Sequence, residues 1–531
     1  MSRIVIVGGG TSGWLTAAYL AAKLGDTSGK KLDISLIESS DIATIGVGEA
    51  TTPSIRATLA DIGFDENEFM RASHATFKHG ILFSNWTHSP NEDPTDEYFH
   101  PFERPLRAGT DGLESYWLRG LDPLKRKFED SVSIQHTLAR LNLAPKSVKD
   151  RPYDSPIPYA YHLDAGLLAE ALKKLALIRG VNHIVDTVLS VDPDDKGDIC
   201  ALQLESGKKV AGDLFIDCSG FVSLLIGKHF KQDFKDCSDV LFCDSAVTMQ
   251  VPNTPNQIIP PYTRSTATKN GWIWDIGLSN RRGTGYVYSS KHTTASEAEA
   301  ELSKYNGSVS QPMRHLKFKV GHRPTQWFKN CVAVGLSGGF IEPLESTGIH
   351  LVEQAIWSLA SMIPRYLNGL SPQVQFNKIM SNHYEMAINF VKYHYILSQR
   401  QDSQFWLDNI NPKSWTPWLR ARVEEWQGSY PDIYDLEYLH SIFDHASYQY
   451  VYFGMQGQPK IHSVGGRRDA FAVKIFDRVS NGVANAKSRL PDHNAYLEQI
   501  HSLHSGQLKA QDINDTAKVN ATIRSIPNNY R

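Results

Sequence analysis

The chain opens on an unbroken apolar run, Ile4-Val5-Ile6-Val7, that passes directly into Gly8-Gly9-Gly10. A strand that is apolar at consecutive positions has no wet face, so it belongs inside a parallel sheet. Apolar positions then recur at helical spacing from Ser12 to about Lys23, and a second apolar run, Leu32 to Ile37, stops at Glu38. Strand, glycine turn, amphipathic helix and strand make a βαβ opening of roughly 35 residues. The spacing next predicts a helix from about Asp164 to Leu177 and a hairpin of Ile184 to Val191 with Ile199 to Glu205, turning at Asp192-Pro193-Asp194-Asp195. Leu214-Phe215-Ile216-Asp217 and Val332-Ala333-Val334, each followed by small residues, read as buried strands that deliver their ends to a ligand crevice. From about Gln354 the pattern is helical and rich in Trp and Tyr, and after His504 it becomes a polar tail expected to be partly disordered. Polar, proline-bearing loops at His88 to Glu97 and Pro145 to Pro158 bracket a segment of another module. The expected division is a discontinuous α/β module, 1–90 and 155–365, and a mainly helical module, 91–154 and 366–531.

At 531 residues the chain exceeds the size at which a single core keeps growing, which supports two modules. Its 41% hydrophobic and 21% charged residues read as globular and soluble. The net charge of -2 contains no basic stripe, which argues against a nucleic-acid partner. No apolar run approaches the ~18 residues that cross a bilayer, so no membrane partner is expected. Cys200, Cys218, Cys237, Cys243 and Cys331 lack Cys-x-x-Cys spacing, and the first strand follows directly on Met1-Ser2-Arg3. Both features fit a protein of the reducing cytoplasm with no metal centre.

Gly8-x-Gly10-x-x-Gly13, followed by Ala17, places glycines where a turn is tight, where backbone approaches a pyrophosphate and where helix meets strand. The helix start beyond it, at Ser12, offers free amides and a positive dipole end to phosphates. Glu38 stands where a carboxylate accepts ribose hydroxyls. The motif alone does not separate NAD from FAD. Asp217-Cys218-Ser219-Gly220 and Gly335-Leu336-Ser337-Gly338-Gly339 favour FAD, which is wrapped by distant parts of a chain, and no second glycine fingerprint for a nicotinamide occurs. The fold class expected is therefore α/β: an FAD-binding Rossmann-like domain of the glutathione-reductase/aromatic-hydroxylase type with a mainly helical substrate module.

In Gly271-Trp272-Ile273-Trp274-Asp275-Ile276-Gly277, two indoles two residues apart on a strand share a face, as core packing or as a stiff wall. Together with Gly46-Val47-Gly48-Glu49-Ala50-Thr51, Phe77-Lys78-His79-Gly80, Tyr161-His162-Leu163-Asp164-Ala165 and Glu342-Pro343-Leu344-Glu345-Ser346-Thr347-Gly348-Ile349, this segment resembles the flavin-dependent halogenases of the tryptophan-halogenase family. The matching stretches run from residue 4 to at least 455. The family's Trp-x-Trp-x-Ile-Pro pattern ends here on Gly277.

The resemblance implies an FADH2-dependent halogenase whose reduced flavin diffuses from a separate NAD(P)H flavin reductase, and a homodimer is compatible with it. O2 and halide, the co-substrates, give hypohalous acid, which passes through a tunnel to Lys78. It implies a flavin strap at Val47, Glu49 and Ala50, with Val188 and Leu336 joining Gly8, Gly10, Ser12, Gly13 and Glu38 at the cofactor. Lys78 would hydrogen-bond the hypohalous acid or carry it as a haloamine, whereas residue type alone reads as a surface lysine on a helix. Glu345 would stabilise the cationic arene and accept its proton. Ser346 would orient Glu345 or Lys78, or cap the helix that follows. Thr347 and Gly348, in that helix's first turn, would bind the halide, and Trp272 and Trp274 would separate flavin from substrate.

His100 and Phe102 resemble the family's His-x-Phe element beside the arene, although a loop aromatic packing on its own module reads as well from sequence. Tyr448, Tyr450, Tyr452 and Phe453 alternate as a strand or cluster on a helix. The residues that hold an amino acid's ammonium and carboxylate in tryptophan halogenases are not matched, so the substrate is read as an indole or another electron-rich aromatic. The rival readings are an FAD-dependent aromatic monooxygenase, which needs no Lys78, and a non-catalytic flavin-binding protein.

Overall fold

The structure, a computed structural model, describes residues 2–25, 32–40, 48–307, 309, 311–436, 442–457, 459 and 468–502. Val47 and the polar tail after His504 lie outside the described residues.

The opening run becomes the strand Ser2–Val7 at the centre of a six-stranded sheet. It pairs in parallel with Leu32–Glu38 on one side and Leu214–Asp217 on the other, and Ile4 to Val7 are buried. Asn182–Val185 and Cys331–Ala333 extend the sheet in parallel, and Trp327–Phe328 closes it antiparallel. The chain leaves Ser2–Val7 toward Leu32–Glu38 and returns on the opposite side, so a crevice opens at the carboxyl ends of the central strands. The helix Thr11–Leu24 starts at that crevice and packs against Ala165–Ile178 and Thr347–Leu367.

The expected arm Ile184 to Val191 is not one strand. Asn182–Val185 pairs with Leu32–Glu38, whereas Val188–Pro193 pairs with Ile199–Leu204 in a separate three-stranded sheet. The break falls at Asp186, whose amide is drawn to the Glu38 carbonyl at 2.9 Å. The helix expected from Asp164 is Ala165–Ile178, with Asp164 as its N-cap accepting from the Leu167 amide.

A seven-stranded, largely antiparallel sheet runs Met313–Lys317, Ser245–Pro252, Arg281–Tyr288, Gly271–Gly277, Thr263–Ala267, Gly80–Ser84, Glu97–Pro101. Its last pairing crosses the boundary expected at residue 90. A small sheet, Gly48–Ala50, Ala160–Asp164 and Thr76–Lys78, lies beside it, and the chain steps from one sheet to the other at Lys78-His79-Gly80. There the His79 amide leaves the small sheet and donates to the Pro261 carbonyl at 2.8 Å. The helices Thr347–Leu367 and Gln373–Ile396 then cover the site, joined by shorter helices including His445–Gly454, which carries Tyr448, Tyr450, Tyr452 and Phe453. Among the described residues no helix is long and apolar enough to cross a membrane.

The segment before Ala160–Asp164 is fastened by one carboxylate. Glu66, 2% exposed, accepts from Lys146 Nζ at 2.7 Å, the Tyr153 amide at 2.6 Å, Tyr159 Oη at 2.6 Å and Tyr161 Oη at 2.7 Å. Glu66→Ala would strand the Lys146 ammonium and two phenols without water, and the expected loss is about 3–5 kcal/mol by denaturant unfolding. A loss below about 1 kcal/mol would show that the cluster contributes little.

Candidate active site

At the crevice the glycine turn has no spare volume on its protein side. Gly8 has φ +114°, and a Cβ there would lie 2.3 Å from the Cys218 carbonyl oxygen, while one on Gly13 would lie 1.9 Å from the Gly8 oxygen. A Cβ on Gly10 would meet nothing within 4 Å, so Gly10 faces open space. Gly10 is also the N-cap of Thr11–Leu24, and no side chain caps that end, which leaves the amides around Ser12 free for an anion. Glu38 ends its strand at the turn but is already engaged, by Trp14 Nε1 at 3.3 Å, Lys173 Nζ at 2.9 Å and His183 Nε2 at 2.7 Å. A carboxylate has about four acceptor directions, so one remains for a ligand hydroxyl.

Val188 begins the strand that follows Thr187, whose hydroxyl meets Ser39 Oγ at 3.0 Å near the end of Leu32–Glu38. Leu336 lies in the turn Gly335–Ser337 directly after the strand Cys331–Ala333. Glu49 and Ala50 pair with Leu163 and His162. Loss of water, then the Asp164 carboxylate, pushes the Glu49 carboxyl up to about 7. Thr51 continues this segment to Lys78.

Lys78 is neither on a helix nor at the surface. It ends the strand Thr76–Lys78 and is fully buried. Nζ donates to the Thr51 carbonyl at 3.1 Å and to Ser346 Oγ at 2.8 Å, and lies 5.2 Å from the centre of the Phe102 ring. Burial brings the amine down to about 7, with the Glu345 charge opposing part of the fall. Ser346 occupies the N-cap position of Thr347–Leu367, but at φ +60° its hydroxyl makes no cap and serves Lys78 instead.

Glu345, 3% exposed, lies between two imidazoles: His100 Nδ1 at 3.0 and 3.1 Å from its two oxygens, and His394 Nε2 at 2.9 Å from Oε1. Burial alone would raise this carboxyl, but His100 and then His394 outweigh it and hold it at about 2. Thr347 is fully buried and its Oγ1 has no partner among the described residues, and a Cβ on Gly348 would meet nothing within 4 Å. This helix start therefore combines free amides, an unspent hydroxyl and open space.

Trp272 and Trp274 are buried on one face of Gly271–Gly277 with ring centres 6.3 Å apart. Trp272 Nε1 donates to Glu342 Oε2 at 2.8 Å, which fixes the indole. At Gly277 a Cβ would lie 2.8 Å from Ile259 Cγ2, so Ile259 fills the space that a bulkier residue would take. The Gly277 carbonyl accepts from Thr76 Oγ1 at 2.6 Å, tying the double-Trp strand to the strand of Lys78.

The structure thus brings Lys78, Ser346, Glu345, His100 and Phe102 together, with Thr51 against Lys78 and Trp272 tied to Glu342 three residues before Glu345. Sequence reading missed Glu342 and His394. The available signal for His394 was a helical stretch, Ala387 to Ile396, buried at every position yet carrying Lys392 and His394. A polar group on a helix with no wet face must have a partner inside.

The chain matches the family model for tryptophan halogenase over residues 3–468. It is 34% identical to the 7-chloro-L-tryptophan 6-halogenase KtzR of Kutzneria sp. (strain 744), over 94% of this chain and 100% of that protein. Among solved structures it superposes on a tryptophan halogenase from Shewanella frigidimarina NCIMB 400 with a TM-score of 0.90 and 37% identity, over 96% of this chain and 99% of that one. It also superposes on BrvH, a flavin-dependent halogenase from Brevundimonas sp. BAL3, with a TM-score of 0.83 and 32% identity, over 94% and 99% of the two chains. A match of this extent, on a chain that carries both a glycine crevice and a buried lysine with a buried carboxylate, shows that the protein belongs to the tryptophan-halogenase family.

Proposed function

We propose that this enzyme is an FADH2-dependent halogenase that uses O2 and a halide to halogenate an indole or another electron-rich aromatic. The observation that carries the reading is one buried site in which an amine brought to about 7, held by Ser346 and the Thr51 carbonyl, stands with a carboxylate held at about 2.

The crevice fits FAD. Gly8, Gly10, Ser12 and Gly13 would hold the pyrophosphate, Glu38 would use its remaining acceptor direction for ribose, and Glu49, Ala50, Val188 and Leu336 would line the rest. When bound and reduced, the flavin would supply the two electrons and two protons with which O2, halide and one further proton become hypohalous acid and water. The Thr347 hydroxyl and the amides of Thr347 and Gly348 would hold the halide, since that helix end presents donors and a positive dipole.

Lys78 takes up the halogen equivalent. Two of its donor directions are used by Thr51 and Ser346, which aims the third direction, an N–H or a lone pair, at the incoming acid. Trp272, fixed by Glu342, and Trp274 keep the arene away from the flavin. The arene would lie by His100 and Phe102, where Glu345 can neutralise the cation that forms as halogen adds to the ring and accept the ring proton. The flavin arrives reduced, by diffusion from a separate NAD(P)H reductase in the cytoplasm.

The test is mass spectrometry of products from FAD, a flavin reductase, NADH, O2, bromide and a panel of indoles, with and without the protein. The expected product carries a bromine isotope doublet. Gain of one oxygen without bromide dependence would replace this reading with an aromatic monooxygenase.

A further inference from the structure

Glu342 and Glu345 stand three residues apart, both removed from water, and their carboxyls shift in opposite directions. Glu342 is fully buried and meets neutral donors, Trp272 Nε1 at 2.8 Å and Tyr395 Oη at 2.7 Å. Burial keeps its carboxyl above the ordinary range. Glu345 meets two imidazoles instead. His100 Nδ1 spans both of its oxygens, and a neutral ring suffices for that contact.

His394 is different. Its Nδ1 lies 2.9 Å from the carbonyl oxygen of Phe390, one turn earlier on Gln373–Ile396. A carbonyl only accepts, so Nδ1 carries a proton. Its Nε2 lies 2.9 Å from Glu345 Oε1, off the axis of an ideal hydrogen bond, so the contact acts through charge more than through alignment. Against an ionised Glu345, a bare Nε2 would set one lone pair against another at that distance, without water to screen them. The contact is attractive when Nε2 is protonated as well. The ring is fully buried, with Phe83 at 4.9 Å, Phe390 at 5.0 Å and Trp86 at 6.1 Å between ring centres.

We infer that His394 is a positioning residue, an imidazolium locked by the Phe390 carbonyl that keeps Glu345 ionised in a site where burial would otherwise protonate it. The inference rests on the proposed role of Glu345 only for its activity readout. The carboxylate and the imidazolium cancel. The pair can then take the ring proton: the C–H bond breaks, its electrons return to the ring, and an O–H bond forms on Glu345. The other titratable groups that act on Glu345 are His100, which also holds its carboxyl down, Lys78 and the Tyr98 phenol.

The first readout is independent of activity. Infrared difference spectra of wild type minus Glu345→Gln, at neutral pH and with FAD bound, are expected to show no loss of a protonated-carboxyl band; loss of one would overturn the inference without any variant at His394. His394→Gln, which keeps a neutral donor, is expected to gain such a band, and the band should vanish in the double variant with Glu345→Gln. In halogenation assays the ratio of His394→Gln product to wild-type product is expected to rise ~10-fold or more between about pH 5.5 and about pH 8.5, as the raised carboxyl ionises. Free hypohalous acid, trapped by an added 1,3-diketone, should form equally in both. A ratio that does not change with pH would make His394 a packing residue. The expected infrared result without any halogenated product from wild type would leave the inference standing and remove the proposed function.

Discussion

Lys78→Met is expected to abolish halogenated product, by ~10³-fold or more, while flavin reoxidation continues and the protein melts at a higher temperature. The first half follows from the chemistry assigned to Nζ, because methionine keeps the length and apolar stem but offers neither a strong donor nor a basic nitrogen. The second half follows from linkage. In the unfolded chain the amine titrates near 10.4, whereas burial brings it to about 7 in the fold, so between those values the folded protein binds fewer protons. A depressed lysine leaves stability intact above the unfolded value and costs it as pH falls toward the folded value. At neutral pH nearly the whole cost, on the order of a few kcal/mol, is present. Removing the amine should release part of it, as a rise of a few degrees by calorimetry. Lys78→Ala should lose the same product but leave a cavity, so only methionine tests the stability term. Product within ~10-fold of wild type would dismiss the amine from the reaction. Loss of flavin reoxidation together with a lower melting temperature would make Lys78 a structural residue.

The glycine turn was legible in the sequence because its demands are local. Gly8 and Gly13 are required by backbone contacts within the βαβ unit and at the end of the adjacent strand. The burial of Ile4 to Val7 was legible for the same reason, since an apolar residue at every position leaves no solvent face. Lys78 was not placed by its residue type. What buries it is the pairing of a three-residue strand with Ala160–Asp164, far along the chain, and the step between two sheets at His79. The hairpin of Val188–Pro193 with Ile199–Leu204 was legible, but the start of its first arm was not, because Asn182–Val185 is claimed by a strand more than a hundred residues earlier.

Ser346 shows a subtler limit. Its N-cap position was readable, but the partner of its hydroxyl was not, since the backbone turns to φ +60° and gives the oxygen to Lys78. For the Tyr448 to Phe453 group a helix signal was present and unused: Asp444 caps the Ser447 amide at the start of His445–Gly454. His394 meets Glu345 only through tertiary packing of Gln373–Ile396, so its burial could be suspected from sequence but its partner could not.

Glu345→Gln is expected to slow arene substitution by ~10²-fold or more while hypohalous acid forms within a factor of about 2 of wild type. Glutamine keeps the shape and one carbonyl oxygen for His100 Nδ1 but removes the negative charge and the basic site. The intermediate that forms when halogen adds to the ring is cationic, and in a site without water a carboxylate stabilises it far more than an amide does. The charge is present across the working range because the carboxyl is held at about 2, so wild-type activity should show no acid limb from Glu345 above about pH 3. The sign is that of a depressed carboxylate: the ionised form persists as pH falls and is lost only through the low folded value. Glu345→Asp, which keeps the charge but withdraws it by one methylene, should fall between wild type and glutamine. The measurement pairs product yield by mass spectrometry with diketone trapping of free hypohalous acid. If trapping rises as product falls, the acid is made and escapes, and Glu345 acts after Lys78. Equal loss of both would move Glu345 to the step that makes the acid and separate it from the arene.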